Sequence, residues 1–132
     1  MPTIQLIKQM PITAQWYEET QENIHYDVID IWSWEELSMA IDEAMVLLDS
    51  VDYKVNLIID FTNTNYVPQI SYAHLSKVAN APTMTHPNAD KFIIIDANNY
   101  IGVVLNVFKK LFPFASEKYI TIKTHEELNK HL

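Results

Sequence analysis

Two short apolar runs, each ending in an aspartate, constrain the fold of this chain more than any other feature. Residues 54–60 read KVNLIID and residues 91–96 read KFIIID, and polar residues of the kind found in turns follow each run. Strands that are apolar at consecutive positions are typical of a parallel sheet buried on both faces. The two runs therefore predict the central strands of such a sheet.

Helix and strand patterns alternate along the rest of the chain. Further strands are predicted at residues 12–17 and 24–31, which form an antiparallel hairpin, and at residues 119–123. Helices are predicted at residues 33–50, at 70–81, from Asn98 or Asn99 to Phe112, and after Thr124. The order β-β-α-β-α-β-α-β-α predicts one α/β domain over residues 1–132, with a mixed, mostly parallel sheet of about five strands. Residues 1–11 would add an edge strand or an arm.

The predicted connections leave one face of the sheet to be explained. Right-handed crossovers between successive parallel strands place the helices mainly on one face. The apolar runs, however, need cover on both faces. We therefore expect the second face to be covered by the N-terminal segment, by loops, or by another molecule.

The amino-acid composition excludes several kinds of site. The chain has 132 residues, with one glycine, Gly102, and no cysteine. Glycine-rich phosphate loops, disulfides, thiolate metal sites and cysteine nucleophiles are therefore excluded, and no cofactor is predicted. The sequence shows no signal-peptide pattern and no run of about 20 apolar residues that would span a membrane, so we expect a soluble, cytoplasmic protein.

The charge distribution argues against nucleic-acid binding. The net charge is −8, from nine lysines, no arginine and seventeen acidic residues. Residues 1–53 carry one lysine and eleven acidic residues, whereas residues 54–132 carry eight lysines and six acidic residues. Because nucleic-acid affinity depends on phosphates neutralised by lysine and arginine, we do not expect this chain to bind nucleic acid.

Four short motifs carry a family resemblance over about residues 12–132. They are Trp32-Ser33-Trp34-Glu35-Glu36, Ile58-Ile59-Asp60 followed by Pro68, His86-Pro87-Asn88, and Thr124-His125-Glu126-Glu127-Leu128. With the β-hairpin that precedes the first helix, they make the chain resemble the anti-sigma-factor antagonist (STAS) and SpoIIAA-like group. Within that group, the chain is similar to small bacterial proteins of the STAS/CRAL-TRIO type.

The resemblance implies a non-enzymatic regulatory or ligand-sensing module. Antagonist STAS domains are phosphorylated on a Ser or Thr in an Asp-Ser-Ser-Gly-like turn after a central strand. Here residues 61–71 read FTNTNYVPQIS, which lacks that motif. Thr62, Thr64 and Ser71 are hydroxyl residues near that position, and no phosphorylation site is transferred to them.

Polar residues beyond the two central strands are the candidate ligand or switch residues. Ligands of open α/β sheets gather beyond the carboxyl ends of the strands, and carboxylate oxygens suit a small ligand or Mg²⁺. The preferred alternative is that these side chains cap helices and satisfy loop backbone. The candidates are Asp60, Thr62, Asn63, Thr64, Ser71, Asp96 and Asn98. No pair of histidines has the helical spacing of a zinc site.

Two further groups of residues are candidates for a pocket or an interface. Trp16, Trp32, Trp34 and Met45 could line an apolar pocket or a dimer surface, and ordinary core packing is the alternative. Glycine inside a helix, as at Gly102, would be explained by close approach of a backbone or a ligand. A strip formed by Glu35, Asp42 and Asp49 could bind a basic partner or could simply be a solvated face.

Three functions remain open from the sequence. The first is a non-catalytic protein-interaction module, as a homodimer or with a protein partner. The second is a small-molecule or lipid carrier with an apolar pocket. The third, a hydrolase-type enzyme working from Asp60 and Asp96, has the least support, because no catalytic motif is present.

Overall fold

The sheet is assembled in chain order. The computed structural model describes residues 10–96 and 101–132. Within them the sheet consists of β1 (Ile12–Trp16), β2 (Asn23–Ile29), β3 (Val55–Asn63), β4 (Ala89–Ile95) and β5 (Tyr119–Ile122), in the spatial order β1-β2-β3-β4-β5. β1 is antiparallel to β2, and every other pairing is parallel. The predicted mixed, mostly parallel sheet is therefore confirmed, whereas the predicted arm at residues 1–11 lies mostly outside the described residues.

Helices connect the parallel strands, as predicted. They are α1 (Trp34–Asp49), α2 (Tyr72–Ala79), α3 (Gly102–Leu111), the short α4 (Pro113–Ser116) and α5 (His125–Leu128), with a 3₁₀ turn at Pro82–Met84. Ser33 caps α1 by accepting a hydrogen bond from the Glu36 N–H at 3.2 Å, and Thr124 caps α5 through Glu127 at 3.3 Å. Both predicted capping residues therefore begin helices.

The central strand β3 is longer than predicted. The sequence places a turn directly after Asp60, but the strand continues to Asn63, which pairs with Ile29. Phe61 is 9% exposed and its ring lies 5.9 Å from the Trp32 ring. Burial against a distant tryptophan thus overrides the turn preference of the local sequence.

The first face of the sheet and the helices enclose the main core. Alternate side chains of β3, such as Leu57 and Ile59, point to this face and pack with α1, α2 and α3. The helical residues that complete the core include Leu37, Ala40, Ile41, Ala44, Leu48, Leu75, Ala79, Val104 and Phe108. The expectation that the helices lie mainly on one face is therefore confirmed for α1 to α4.

The second face is covered from within the described chain. Four isoleucines form a smaller core there: Ile58, Ile93, Ile95 and Ile122. Leu128 of α5 is fully buried against them, and Tyr17, from the loop after β1, packs against their edge. Among the described residues, the short last helix and one loop therefore cover this face, and the predicted cover by the N-terminal segment lies mostly outside those residues.

The scarcity of glycine affects the turns differently from expectation. Asparagine is the residue expected at left-handed turn positions when glycine is absent. Among the described non-glycine residues, the positive φ angles instead belong to Glu18 (61°), Gln21 (55°) and Asp30 (49°). Glu18 and Gln21 lie in the loop before β2 and Asp30 follows it directly, so backbone of unfavourable conformation is found at both ends of this strand.

Replacing Leu128 with Ala tests the cover of the second face. We expect Leu128→Ala to lower the free energy of unfolding by about 2–5 kcal/mol, because it leaves a cavity over the isoleucines. Leu132→Ala is the matched control, because Leu132 is 47% exposed. Urea unfolding followed by circular dichroism measures both. Equal effects of the two substitutions would show that α5 does not anchor the second face.

Candidate functional site

Asp60 lies inside the sheet and not at its rim. It follows Ile58 on the second face of β3, and it is only 2% exposed. A carboxylate in such a place is unfavourable unless hydrogen bonds replace the water it has lost. The groups that surround Asp60 therefore define the first site to consider.

Four hydrogen bonds satisfy the Asp60 carboxylate. Oδ2 accepts from Nε2 of His25 at 3.0 Å and from Nε2 of His125 at 2.7 Å. Oδ1 accepts from the Thr62 backbone N–H at 2.9 Å and from the Thr62 hydroxyl at 2.6 Å. We call Asp60, Thr62, His25 and His125 the Asp60 cluster. Its carboxylate accepts about as many hydrogen bonds as two oxygens can.

Three separate parts of the chain bring the Asp60 cluster together. His25 is on β2 beside Ile58 of β3, and its ring lies 5.4 Å from the Tyr17 ring. His125 is the first residue of α5, which the Thr124 cap positions. The cluster therefore joins the hairpin, the central strand and the helix that covers the second face.

The hydrogen bonds set the protonation state of Asp60. Burial of Asp60 opposes ionisation, but the bonds from His25, Thr62 and His125 outweigh it and hold the pKa of the carboxyl well below its usual range. An ionised carboxylate only accepts hydrogen bonds, so Nε2 of each histidine must carry a hydrogen. In the neutral form of either ring, Nδ1 is then the acceptor nitrogen. The two rings differ in access, because His25 is 17% exposed and His125 is 52% exposed.

Tyr17 completes the environment of the cluster. Burial raises the pKa of the Tyr17 phenol, and the negative charges of Glu18 and Asp60 raise it further. Tyr17 is therefore a neutral neighbour at ordinary pH, and it shields the His25 ring by contact.

The remaining ligand or switch candidates belong to other hydrogen-bond networks. Asn63 donates from Nδ2 to Asp27 at 3.1 Å, and the Thr64 hydroxyl donates to the Asp30 carbonyl. Ser71 caps α2 by accepting from the His74 N–H at 3.2 Å. These three residues therefore have structural partners, as the preferred alternative anticipated.

Asp96 does not join Asp60. It is 3% exposed and accepts a hydrogen bond from the Ile101 N–H at 3.4 Å, at the start of α3. Among the described residues the two aspartates share no hydrogen-bond partner, which removes the geometric basis for a joint site. Asn98, the other candidate near Asp96, lies outside the described residues.

The tryptophans separate into two locations. The Trp32 and Trp34 rings meet edge to face at 5.2 Å, and both help line an apolar cavity of about 70 Å³ between sheet and helices. The Trp32 N–H donates to the Tyr66 carbonyl at 2.8 Å, which secures the ring in place. Trp16 and Met45 pack against the main core and do not line this cavity.

Gly102 and the acidic strip of Glu35, Asp42 and Asp49 are the remaining candidates. Gly102 is the first residue of α3 and not an interior one, and a Cβ there would lie 3.6 Å from Asp96 Oδ2, an ordinary contact. Close approach of a ligand or backbone is thus not needed to explain the glycine. In the acidic strip, Glu35 and Asp42 are exposed, while Asp49 accepts a hydrogen bond from His86 Nε2 at 2.7 Å.

Sequence reasoning missed both histidines of the cluster. Histidines were tested only as helical zinc pairs, and His25 and His125 lie 35 and 65 residues from Asp60. One signal was available for His25, since Ile24, Tyr26 and Val28 alternate with it and place it on the second face. No comparable signal exists for His125, whose position depends on how α5 packs.

Comparison with known proteins does not identify a family for this chain. No protein-family model matches it, and a search of curated proteins finds no significant match. Over residues 10–96 and 101–132, no three His, Cys, Asp or Glu residues are arranged to hold a metal ion. The helices of that part of the chain are all too short or too polar to cross a membrane.

Replacing Asp60 tests the cluster through pH. We expect Asp60→Asn to lower the free energy of unfolding at pH 7 by about 3 kcal/mol, since it removes the buried, ionised acceptor of four hydrogen bonds. Because folding lowers the pKa of Asp60, its contribution is present above the unfolded pKa of about 4 and is lost as the pH falls through the folded value. The difference between wild type and variant should therefore shrink below about pH 4.

Urea unfolding from pH 3 to 8 measures this difference. Asp90→Asn, at an exposed carboxylate, is the control, and it should change stability by less than about 0.5 kcal/mol throughout. A difference for Asp60→Asn that does not vary with pH would contradict the ionised cluster.

Proposed function

We propose that this chain is a non-catalytic regulatory module that works through protein contact and assembles as a homodimer through its helix layer, which consists of α1, α2 and α3. The observation that carries this proposal is a pair of exposed apolar helix surfaces with opposite flanking charge.

The first surface lies on α3 and α4. It consists of Val103, Val107, Leu111 and Phe114, of which Val103 is 66% and Phe114 60% exposed. The spacing of Val103, Val107 and Leu111 places them side by side along α3, and Lys110 lies next to Val103 on the helical wheel. Phe114 follows on α4. Contiguous exposed apolar side chains of this kind mark contact sites more often than scattered ones do.

The second surface lies on α1. Met39 is 52% and Val46 is 70% exposed. On the helical wheel both lie on the side of α1 that faces away from the main core. Glu35, Asp42 and Glu43 are exposed around them. This surface therefore has an apolar centre like the first one and the opposite charge.

The order of the helices makes a closed dimer geometrically reasonable. Each of α1, α2 and α3 joins the next pair of neighbouring strands, so right-handed connections place them side by side in that order. A two-fold axis parallel to the helices, between two facing helix layers, brings α1 of one protomer against α3 of the other. The same contact then forms twice, which is the closed arrangement that most dimers adopt.

The Asp60 cluster supports a non-enzymatic role for Asp60. Its two oxygens already accept four hydrogen bonds from the protein, so the carboxylate has little capacity left for a substrate. The STAS and SpoIIAA-like resemblance, with its hairpin before a tryptophan-containing helix start, supports the same kind of role. Membership of that group is part of the proposal.

A small apolar ligand is the second candidate. The cavity beside Trp32 and Trp34 favours it, because its walls are almost wholly apolar. Its volume of about 70 Å³ is well below the roughly 300 Å³ of a typical ligand pocket. Native mass spectrometry of the purified protein separates the two functions: a dimer with no added mass supports the module, and a retained small molecule supports the carrier.

Charge reversal across the two surfaces tests the dimer. We expect Lys110→Glu to weaken dimerisation by about tenfold or more, because it places like charges across both copies of the contact. Asp42→Lys should weaken it similarly, and the double variant should restore it. Sedimentation equilibrium measures the dissociation constants.

A control lies outside the helix layer. Ile31 is 70% exposed, and Ile31→Asp should leave the dimer unchanged. A wild-type monomer at high concentration would overturn the homodimer, and a dimer that Lys110→Glu and Asp42→Lys do not affect would place the interface elsewhere.

A further inference from the structure

His125 has one fixed and one accessible ring nitrogen. Its Nε2–H donates to Asp60 Oδ2 at 2.7 Å, and its side chain is 52% exposed. Nδ1 forms no hydrogen bond within the described part of the chain. In its neutral form the ring held by Asp60 therefore has its lone pair on Nδ1, which is the nucleophilic position of a neutral imidazole.

Asp60 is in a position to stabilise the imidazolium cation that forms when Nδ1 of His125 reacts as a nucleophile. When Nδ1 forms a bond to an electrophile while Nε2 keeps its hydrogen, the ring becomes an imidazolium cation. A buried carboxylate at hydrogen-bond distance stabilises that cation and also orients the ring. His25 and Thr62 keep the carboxylate in position through its other hydrogen bonds.

The surroundings favour phosphorus as the electrophile. An acyl group on an exposed imidazole hydrolyses readily, whereas a phosphoryl group on nitrogen persists longer in neutral water. Lys123 lies two residues before His125 and directs its ammonium to the Asp96 carbonyl at 3.4 Å, at the carboxyl end of the strand beside β3. That cation lies at the same end of the sheet as Asp60, where it partly offsets the negative charge of Glu126 and Glu127 for an incoming phosphoryl group.

We propose that His125 is a phosphoryl-accepting histidine, whose Nδ1 receives a phosphoryl group from a donor that carries it on nitrogen, such as phosphohistidine of a partner protein. The Nδ1–P bond forms as the P–N bond of the donor breaks. The donor is already protonated, on its amine nitrogen in phosphoramidate and on its second ring nitrogen in phosphohistidine, so it leaves as neutral ammonia or neutral imidazole. The His125 ring becomes an imidazolium paired with Asp60. No atom is oxidised or reduced.

The modification has a structural consequence for regulation. The phosphoryl group adds negative charge beside Glu126 and Glu127, at the start of the helix that covers the second face. The imidazolium form of the ring retains its hydrogen bond to Asp60, so the modification changes the charge of α5 while this contact with β3 is kept. The helix layer lies on the opposite face of the sheet, so this site and the proposed dimer contact can be tested separately.

Phosphoramidate, the simplest donor of this class, is the probe for the experiment. The full chain is incubated with it at neutral pH, and intact-mass spectrometry with fragmentation locates any phosphoryl group. We expect one acid-labile phosphoryl group on His125, formed about tenfold or more faster than on the partly exposed His131. His125→Gln should abolish this product, whereas His131→Gln should retain it.

The comparison of His125 with His131 within the wild-type chain is decisive, because it does not depend on any variant folding. Phosphorylation of His125 at the same rate as His131, or none at His125, would overturn the proposal. Asp60→Asn, with its fold verified by circular dichroism, should slow the reaction of His125 without affecting His131, and an unchanged rate would overturn the role given to Asp60.

Discussion

The architecture of the second face depends on one buried negative charge. Asp60 lies among isoleucines of the central strands, where an isolated carboxylate would be strongly unfavourable. The ionised carboxylate of Asp60 therefore requires hydrogen-bond donors from elsewhere in the chain. His25 on β2 and His125 on α5 supply two of them. The hairpin and the last helix are thereby held to the same strand by one carboxylate.

This arrangement is an unusual solution to an ordinary packing problem. A sixth apolar side chain at position 60 would extend the isoleucine core without the cost of removing a charge from water, and such replacements are often neutral or stabilising. A charge adds direction, because it accepts hydrogen bonds only from groups at defined positions. For a helix as short as α5, with Leu128 as its buried anchor, that directional contact specifies where the helix docks.

Local patterns explain how much of the structure could be predicted. The element order could be predicted because its signals depend only on residues close together in the sequence. These signals are the apolar runs of β3 and β4 and the helix caps at Ser33 and Thr124. The end of β3 was missed because Thr62 and Asn63 have turn composition, while the burial of Phe61 depends on Trp32, far away in the sequence. The Asp60 cluster was missed for the same reason, since its histidines meet Asp60 only in the folded sheet.

The two faces of the sheet differ in how strongly their contacts depend on charge. The helix layer packs on a large apolar core, which fixes the positions of its helices. On the second face a four-residue helix is held by one leucine and a network of ionisable groups. Interactions of that kind respond to charge, whereas apolar packing does not. In the proposed module one face of the sheet would serve assembly and the other a phosphoryl signal, and the buried Asp60 would connect that proposed signal to the fold.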